Sequence, residues 1–369
     1  MSAVPRTEAE PSPLSAAPAP ADAAPTTAAL APTITLAHGG GGRAMRGLID
    51  TIIVPAFYNP LLATLEDQAR VPLAQLAQLG DRLAFTTDTY VVTPIEFAGG
   101  DIGKLAVCGT VNDLAVCGAR PLYLSCALVM EEGLPIADLT RIVHSMGAAA
   151  REAGVRIVTG DTKVVERGAA DRIFINTAGV GVIPAGVQIA ATQARPGDAV
   201  IINGTLGDHG IAILLARNEL ALGANVESDC RHLHDLISVM RAACPDIRCL
   251  RDATRGGVAT VLNEFAASSR VAIRVREAAL PMHEAVRGAC ELLGLDPLYL
   301  ANEGKVVAVV PGPQAAAAVA AMRAHPAGRQ AAIIGEVCAA PAGTVILSTA
   351  IGGDRVVDML VGEQLPRIC

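Results

Sequence analysis

Apolar and polar positions alternate with a period of two along "RLAFTTDTYVV" (82–92), which predicts a strand with one face on a core. The spacing turns helical in "DIGKLAVCGTVNDLAVCGA" (101–119), which opens after a glycine break. "PLYLSCALVM" (121–130) reads as a strand, and "LTRIVHSMGAAAREAG" (139–154) as a helix closed by Gly154. "VRIVTGDTKVV" (155–165) and "IFINTAGVGVI" (173–183) are strands again. Upstream, "TITLAHGGGG" (33–42) predicts a short strand meeting four glycines, then a helix from about Met45 or Arg46. At 194–210, "ARPGDAVIINGTLGDHG" resets the pattern with a turn, a strand and a glycine-rich turn into a helix. Strands and helices then alternate to about 350.

This pattern predicts two α/β domains, residues 33–192 and 193–350. Residues 1–32, biased to Ala, Pro and Thr, read as a disordered leader. The stretch "GGDRVVDMLVGEQLPRIC" (352–369) starts on two glycines, so 351–369 reads as a mobile tail ending in Cys369.

Composition narrows the class. The chain has 369 residues, 51% of them hydrophobic and only 2% aromatic, with no Trp. It can bury a large core of small aliphatic residues but offers few stacking surfaces for nucleic acid. Net charge is −7, with no basic run, which argues against nucleic-acid and anionic-membrane partners. The N-terminus lacks the apolar core of a signal peptide, and no apolar run is long enough to cross a bilayer. The nine cysteines include no CxxC pair and sit mostly in apolar segments, which reads as a reduced, cytoplasmic protein. "CRHLHD" (230–235) sets a Cys beside two His, either a metal cluster or a polar helix.

Acidic residues recur at turns beside strand ends: Asp67, Asp88, Asp113, Asp161 and Asp252. One such Asp is an ordinary cap or Asx-turn. Five together suit a hard cation such as Mg²⁺ better than zinc. The turns "HGGGGRAM", "AGGDIGK" and "TRGGVAT" expose backbone N–H groups ahead of helices, where anions are favoured, although none is a P-loop or a dinucleotide fingerprint. Lys163 and Glu303 stand in apolar surroundings, either as surface ion pairs or as groups with shifted pKa fit for acid–base work.

Together, "LAHGGGGRAM", "FTTDTYVV", "GGDIGKLAVCGTVNDLAVCGARPLYLS", "GDTKVVERG", "GDHGIAI", "RDATRGGVATVLNEFA", "LANEGK" and the terminal "LPRIC" resemble the HypE family of hydrogenase maturation proteins, from about residue 33 to the end. The wider superfamily includes aminoimidazole ribonucleotide synthetase (PurM-like), selenophosphate synthetase and thiamine-monophosphate kinase. The resemblance implies a two-domain PurM-like α/β (α+β) fold. Its N-terminal sheet would complete a barrel across a homodimer, ahead of a C-terminal α/β domain and a flexible tail. It implies ATP-dependent dehydration of a carbamoyl group on Cys369 to an S-cyano group. The HypF carbamoyltransferase would load the thiol, and the HypC–HypD complex would receive the cyanide for [NiFe]-hydrogenase iron. It assigns Asp67, Asp88, Asp113 and Asp252 to Mg²⁺. Asn112, Thr254, Gly40 and Gly41 join these as ATP contacts, with Asp161 and His209 near the phosphates. Lys163 and Glu303 would polarise the carbamoyl group and take its proton, and Arg367 would hold or activate the thiolate. Glu66–Asp67 stands where other members often have Asp-Asp. A selenophosphate synthetase would need a reactive Cys or Sec near the N-terminal glycine loop, yet the first cysteine is Cys108. A carrier scaffold without catalysis would have no use for Asp88, Asp113, Lys163 and Glu303 together.

Overall fold

The computed structural model describes residues 32–217, 225–362, 365 and 367–369. The leader expected at 1–32 thus lies, but for Pro32, outside the described residues. The chain enters through a bridge between Thr33 and Pro135 and a 3₁₀ turn at Leu36–Gly39, not the short strand the pattern predicts. Without a neighbouring edge to continue that bridge, the apolar "TITL" closes into a turn that lies against a later strand. Short helices α1 (Arg43–Leu48), α2 (Val54–Phe57) and α3 (Leu73–Ala77) lead to β1 (Arg82–Tyr90). A two-residue hairpin, β2 (Glu96–Phe97) and β3 (Gly100–Asp101), precedes helix α4 (Ile102–Val116). Asp101 caps α4 by accepting from the Gly103 and Lys104 amides at 2.7 and 3.0 Å. Then follow β4 (Arg120–Glu131), α5 (Ile136–Glu152), β5 (Arg156–Val165) and β6 (Ile173–Ile183).

These strands form a sheet in the order β1-β6-β4-β5, antiparallel except for β4–β5. Helices α4 and α5 cover one face. The other is open, and on β1 it shows Phe85 at 74% and Leu83 at 59% exposure. The period of two in the sequence records this one-sided burial.

In the second sheet the central strands are buried on both sides. Its elements are β7 (Asp198–Ile202), α6 (Asp208–Ala216), α7 (His234–Ala243), β8 (Cys249–Asp252), α8 (Gly257–Ser269), β9 (Ala272–Arg276) and α9 (Glu284–Leu293). They continue through β10 (Val306–Pro311), α10 (Ala315–Ala324), β11 (Ala332–Cys338), β12 (Thr344–Ser348) and β13 (Asp354–Val357). The strand order is β13-β12-β9-β11-β7-β10-β8. Val200 and Ile202 of β7 join Leu262 and Phe265 of α8 in one core. Ala199 and Ile201 join Leu236 of α7 and Met322 of α10 in the other. Burial on both faces explains why "AVII" and "VVAVV" show no alternation. β13 extends this sheet, so the chain leaves it after Val357, later than the boundary expected at 350.

Candidate active site

The chain terminus is docked against the molecule, with Ile368 buried and Cys369 half-buried. Residues 367–369 run beside 91–93: the Thr93 amide donates to the Arg367 carbonyl and the Val91 amide to the Cys369 carbonyl, both at 3.2 Å. Arg217 donates to the carbonyls of Thr93 and Arg367 at 2.7 and 2.8 Å. His209, fully buried on α6, donates from Nε2 to the Ile368 carbonyl at 2.7 Å. Its Nδ1 lies 2.8 Å from the Ser228 hydroxyl, and the Phe97 ring packs on its edge. Burial lowers its pKa, so the neutral Nε2–H tautomer fits both bonds. His209 therefore holds the tail through the Ile368 carbonyl, with both ring nitrogens engaged. Arg367 pairs with Asp171 and donates to the Val91 carbonyl, so it too fixes the tail. The cation that acts on the Cys369 thiol is Arg255.

The thiol stands in a cavity of about 200 Å³ lined by Val91, Arg255, Gly256, Tyr299 and Ala301 among others. Burial pushes its pKa up, and the nearby Glu303, Asp88 and Asp252 push it further, so it is held as a thiol. Glu303 is itself buried, and its Oε1 has no hydrogen-bond partner. Burial, then Asp229, Asp252 and Asp88, raise its pKa well above the carboxylate range.

Asp252 ends β8, and Asp113 lies on α4 facing it. Burial and mutual repulsion raise Asp252 to about 7, while burial, opposed by a 2.9 Å bond from Thr86 Oγ1, raises Asp113 to about 6. Asp88 contributes to both shifts. Asp113 and Asp252, both pushed up and both facing the charge of Asp88, form an acidic pocket whose oxygen donors are the kind a hard cation takes. Asn112 bridges the domains: its amide donates to the carbonyls of Arg231 at 3.0 Å and Glu303 at 3.4 Å, and accepts from the Leu233 amide at 2.8 Å. Thr254 sits in the turn between β8 and α8, where its carbonyl accepts from the Gly257 amide. Gly257 has φ +59°, and a Cβ there would come within 2.4 Å of the Leu298 carbonyl oxygen. Only glycine lets α8 begin against that strand of chain.

The remaining predicted residues are elsewhere. In register, Asp88, Thr177, Cys126 and Gly160 form one row across the first sheet, on the face covered by α4. Thr89, Asn176, Ala127 and Asp161 form the next row, on the open face, with Lys163 one pleat further along β5. Three strand spacings, about 14 Å, separate β1 from β5. Lys163 pairs with Asp161 at 2.6 Å, and both are more than half exposed. Asp67 shares a cavity with Asp161, and its carbonyl accepts from Thr159 Oγ1 at 3.3 Å. The glycine loop lies at the same edge: Gly39 packs on Val164 with no room for a Cβ, Gly40 is exposed, and nothing lies within 4 Å of a Cβ at Gly41. Within one chain, then, Asp67 does not join the other three carboxylates, and Lys163 does not reach Glu303.

A buried ion cluster escaped the sequence reading. Lys305 Nζ lies 2.7 Å from Asp229 Oδ2 and 3.4 Å from Asp208 Oδ2. Asp229 also accepts from the Glu303 and Gly304 amides at 3.1 and 3.0 Å. This cluster fixes the backbone that carries Glu303. The string "NEGK" contains Lys305, but nothing in the sequence pairs it with Asp229.

Two family models match in tandem: the N-terminal domain of AIR synthase related protein over residues 66–183 and its C-terminal domain over 195–348. The fold is thus that of the AIR synthase-related class. Within it, the chain is 60% identical to "Carbamoyl dehydratase HypE" of Rhodobacter capsulatus over 336 residues, 91% of this chain and 98% of that protein. The structure of hydrogenase maturation protein HypE in complex with ATP matches with a TM-score of 0.86 at 51% identity, covering 90% of this chain and 99% of that one. A chain of the HypE–HypF complex matches with a TM-score of 0.74 at 48% identity, covering 85% of this chain and 99% of that one. The chain belongs to the HypE family of carbamoyl dehydratases, enzymes of hydrogenase maturation.

Proposed function

We propose that this protein dehydrates a carbamoyl group on its own Cys369 to an S-cyano group, using ATP, and donates the cyanide to the iron of [NiFe]-hydrogenase. The observation that carries this reading is the half-buried Cys369 thiol in a cavity near Glu303, whose Oε1 has no hydrogen-bond partner.

The HypF carbamoyltransferase loads the thiol outside the site. Residues 358–369 leave the second sheet, and twelve extended residues reach roughly 40 Å, enough to carry the thiol out and back. Inside, the carbamoyl oxygen attacks the γ-phosphorus of ATP, and ADP leaves. The nitrogen loses one proton as the oxygen is phosphorylated and gives its second to Glu303 as the C–O bond breaks and phosphate leaves, so the S–C≡N group remains, with one proton carried on phosphate and one released. The sum is carbamoyl thiol plus ATP giving cyano thiol, ADP, phosphate and a proton. Mg²⁺, held by Asp88, Asp113 and Asp252, would neutralise phosphate charge and lower the pKa of the neighbouring Glu303. The docked tail excludes water, and the Lys305–Asp229 pair keeps Glu303 in register. The HypC–HypD complex then accepts the cyanide.

Lys163 enters through a homodimer. The open face of the first sheet exposes Leu83 and Phe85, and the same face carries Asp161 and Lys163. A second copy covering that face buries the apolar pair and brings its Lys163, Asp161 and glycine loop toward the carboxylate half. No helix among the described residues is long and apolar enough to cross a membrane. With all nine cysteines free, a reducing cytoplasm is the proposed setting.

Intact-mass analysis tests the reaction. With HypF, carbamoyl phosphate and ATP, the terminal peptide should gain a carbamoyl group, then lose one water when MgATP is added. Gain without loss would reduce the protein to a carrier.

A further inference from the structure

The stretch "CRHLHD" (230–235) takes no part in the chemistry above. His232 and His234 flank the turn into α7, with ring centroids 5.0 Å apart and planes tilted by 43°. The Nδ1 atom of each ring is buried and has no hydrogen-bond partner. A buried ring nitrogen left unpaired forfeits a hydrogen bond that water would supply. Here two such rings are neighbours. Nε2 of His234 lies 3.1 Å from Oδ1 of the exposed Asp235. One ligand atom from each of the three residues falls within 4.8 Å of the others, the one such trio among the described residues.

We propose that His232, His234 and Asp235 bind a late first-row divalent ion of the zinc, nickel or copper kind, at a site distinct from the Mg²⁺ carboxylates. Imidazole nitrogens with one carboxylate are the donors that such ions select, whereas Mg²⁺ prefers oxygen alone. Ligand atoms around an ion with bonds near 2.0–2.2 Å sit about 3–4 Å apart, so a small side-chain rotation closes the trio. Burial lowers the pKa of both rings, which leaves them neutral and able to ligate. Asp235 and Glu152 favour positive charge here; Arg120, Lys104 and His325 oppose it.

The site sits on the loop that Asn112 grips. Asn112 binds Arg231 and Leu233 on either side of His232, and its neighbour Asp113 belongs to the carboxylate half. The ion therefore pins the loop at the junction of α4 with the second domain. It raises the stability of that junction without touching the reacting atoms.

Co²⁺ is the probe, since its absorption spectrum separates nitrogen and oxygen ligands from thiolate. Full-length protein, freed of metal by chelation, should take up one Co²⁺ per chain at this site. The d–d bands should appear without thiolate-to-cobalt charge transfer, and Tm should rise. His232→Ala and His234→Ala should each lose both effects, with ATP binding showing that they fold. Should either variant fail to fold, His232→Gln and His234→Gln replace it. Cys369→Ser should keep both effects. No uptake by the wild-type protein, uptake unchanged in the histidine variants, or thiolate bands that vanish in Cys369→Ser would each overturn the proposal.

Discussion

The two edges of the first sheet carry different halves of the proposed chemistry and are built on opposite principles. On the β1 side, acidic groups are buried against one another: Glu303 lacks a partner at Oε1, and Asp113 and Asp252 are pushed up to about 6 and 7. On the β5 side, Lys163 is exposed and already paired with Asp161, and the glycine loop faces open space. A buried half with raised pKa values is short of positive charge, which a cation and a substrate can supply. An exposed half is short of cover, which a second chain can supply. On the proposed reading neither half acts alone, and a second chain covering the exposed Leu83 and Phe85 would join them.

The largest effect belongs to the thiol. Cys369→Ala should abolish carbamoyl loading and all product while leaving ATP binding unchanged, as mass spectrometry and calorimetry would show. Lost ATP binding would mean that the tail builds the nucleotide site as well as delivering to it. Glu303→Gln should come next. It should load normally yet dehydrate about 10²–10⁴-fold more slowly, the usual range for removing a positioned acid–base group. Single-turnover phosphate release measures it, and a normal rate would remove Glu303 from the chemistry.

Phe85→Asp, on the open face, should yield a folded monomer by sedimentation with little dehydration activity. A monomer that dehydrates at the parental rate would break the comparison between the two edges. The smallest effect concerns stability. Folding moves the Asp252 carboxyl from an ordinary 3.8 to about 7. The folded state thus holds a proton that the unfolded state releases, and stability falls as pH rises through that window. Asp252→Asn should add on the order of 1–3 kcal/mol near pH 8, discounted for partial exposure, and nothing near pH 4. Urea unfolding at the two pH values reads this. The same variant should bind MgATP poorly, becoming more stable as it becomes less able.

Much of the frame was legible in the chain. β1 and α4–β6 follow the periodicities of 82–183, because a sheet covered on one face writes its burial into alternate residues. Gly154 ends α5 as expected, at φ +64°. The strand expected at "TITL" failed because nothing local reveals whether a neighbouring edge is free. β13 was missed because "DRVV" has exposed positions and pairs only through β12. For the site, the sequence set its acids at turns, but Asp88 and Asp161 lie within β1 and β5 and Asp113 within α4, while Asp252 ends β8 and Glu303 just precedes β10; the resemblance gave them roles. What stayed hidden was which face of the sheet each residue takes. Asp88 and Asp161 look alike in sequence, yet the register sets them on opposite faces. The Lys305–Asp229 pair joins residues 76 positions apart, which no local pattern records.

Mixing two inactive variants tests most directly the claim that both halves are needed and come from two chains. Lys163→Ala and Glu303→Gln are each expected to be nearly inert. When subunits are allowed to exchange, half of the dimers become mixed, and each mixed dimer holds one site with both groups intact. About a quarter of the parental dehydration activity should return by this symmetry. If mixing restores nothing while exchange is shown to occur, Lys163 and Glu303 must act within one chain, and the division between the two edges is not the basis of the reaction.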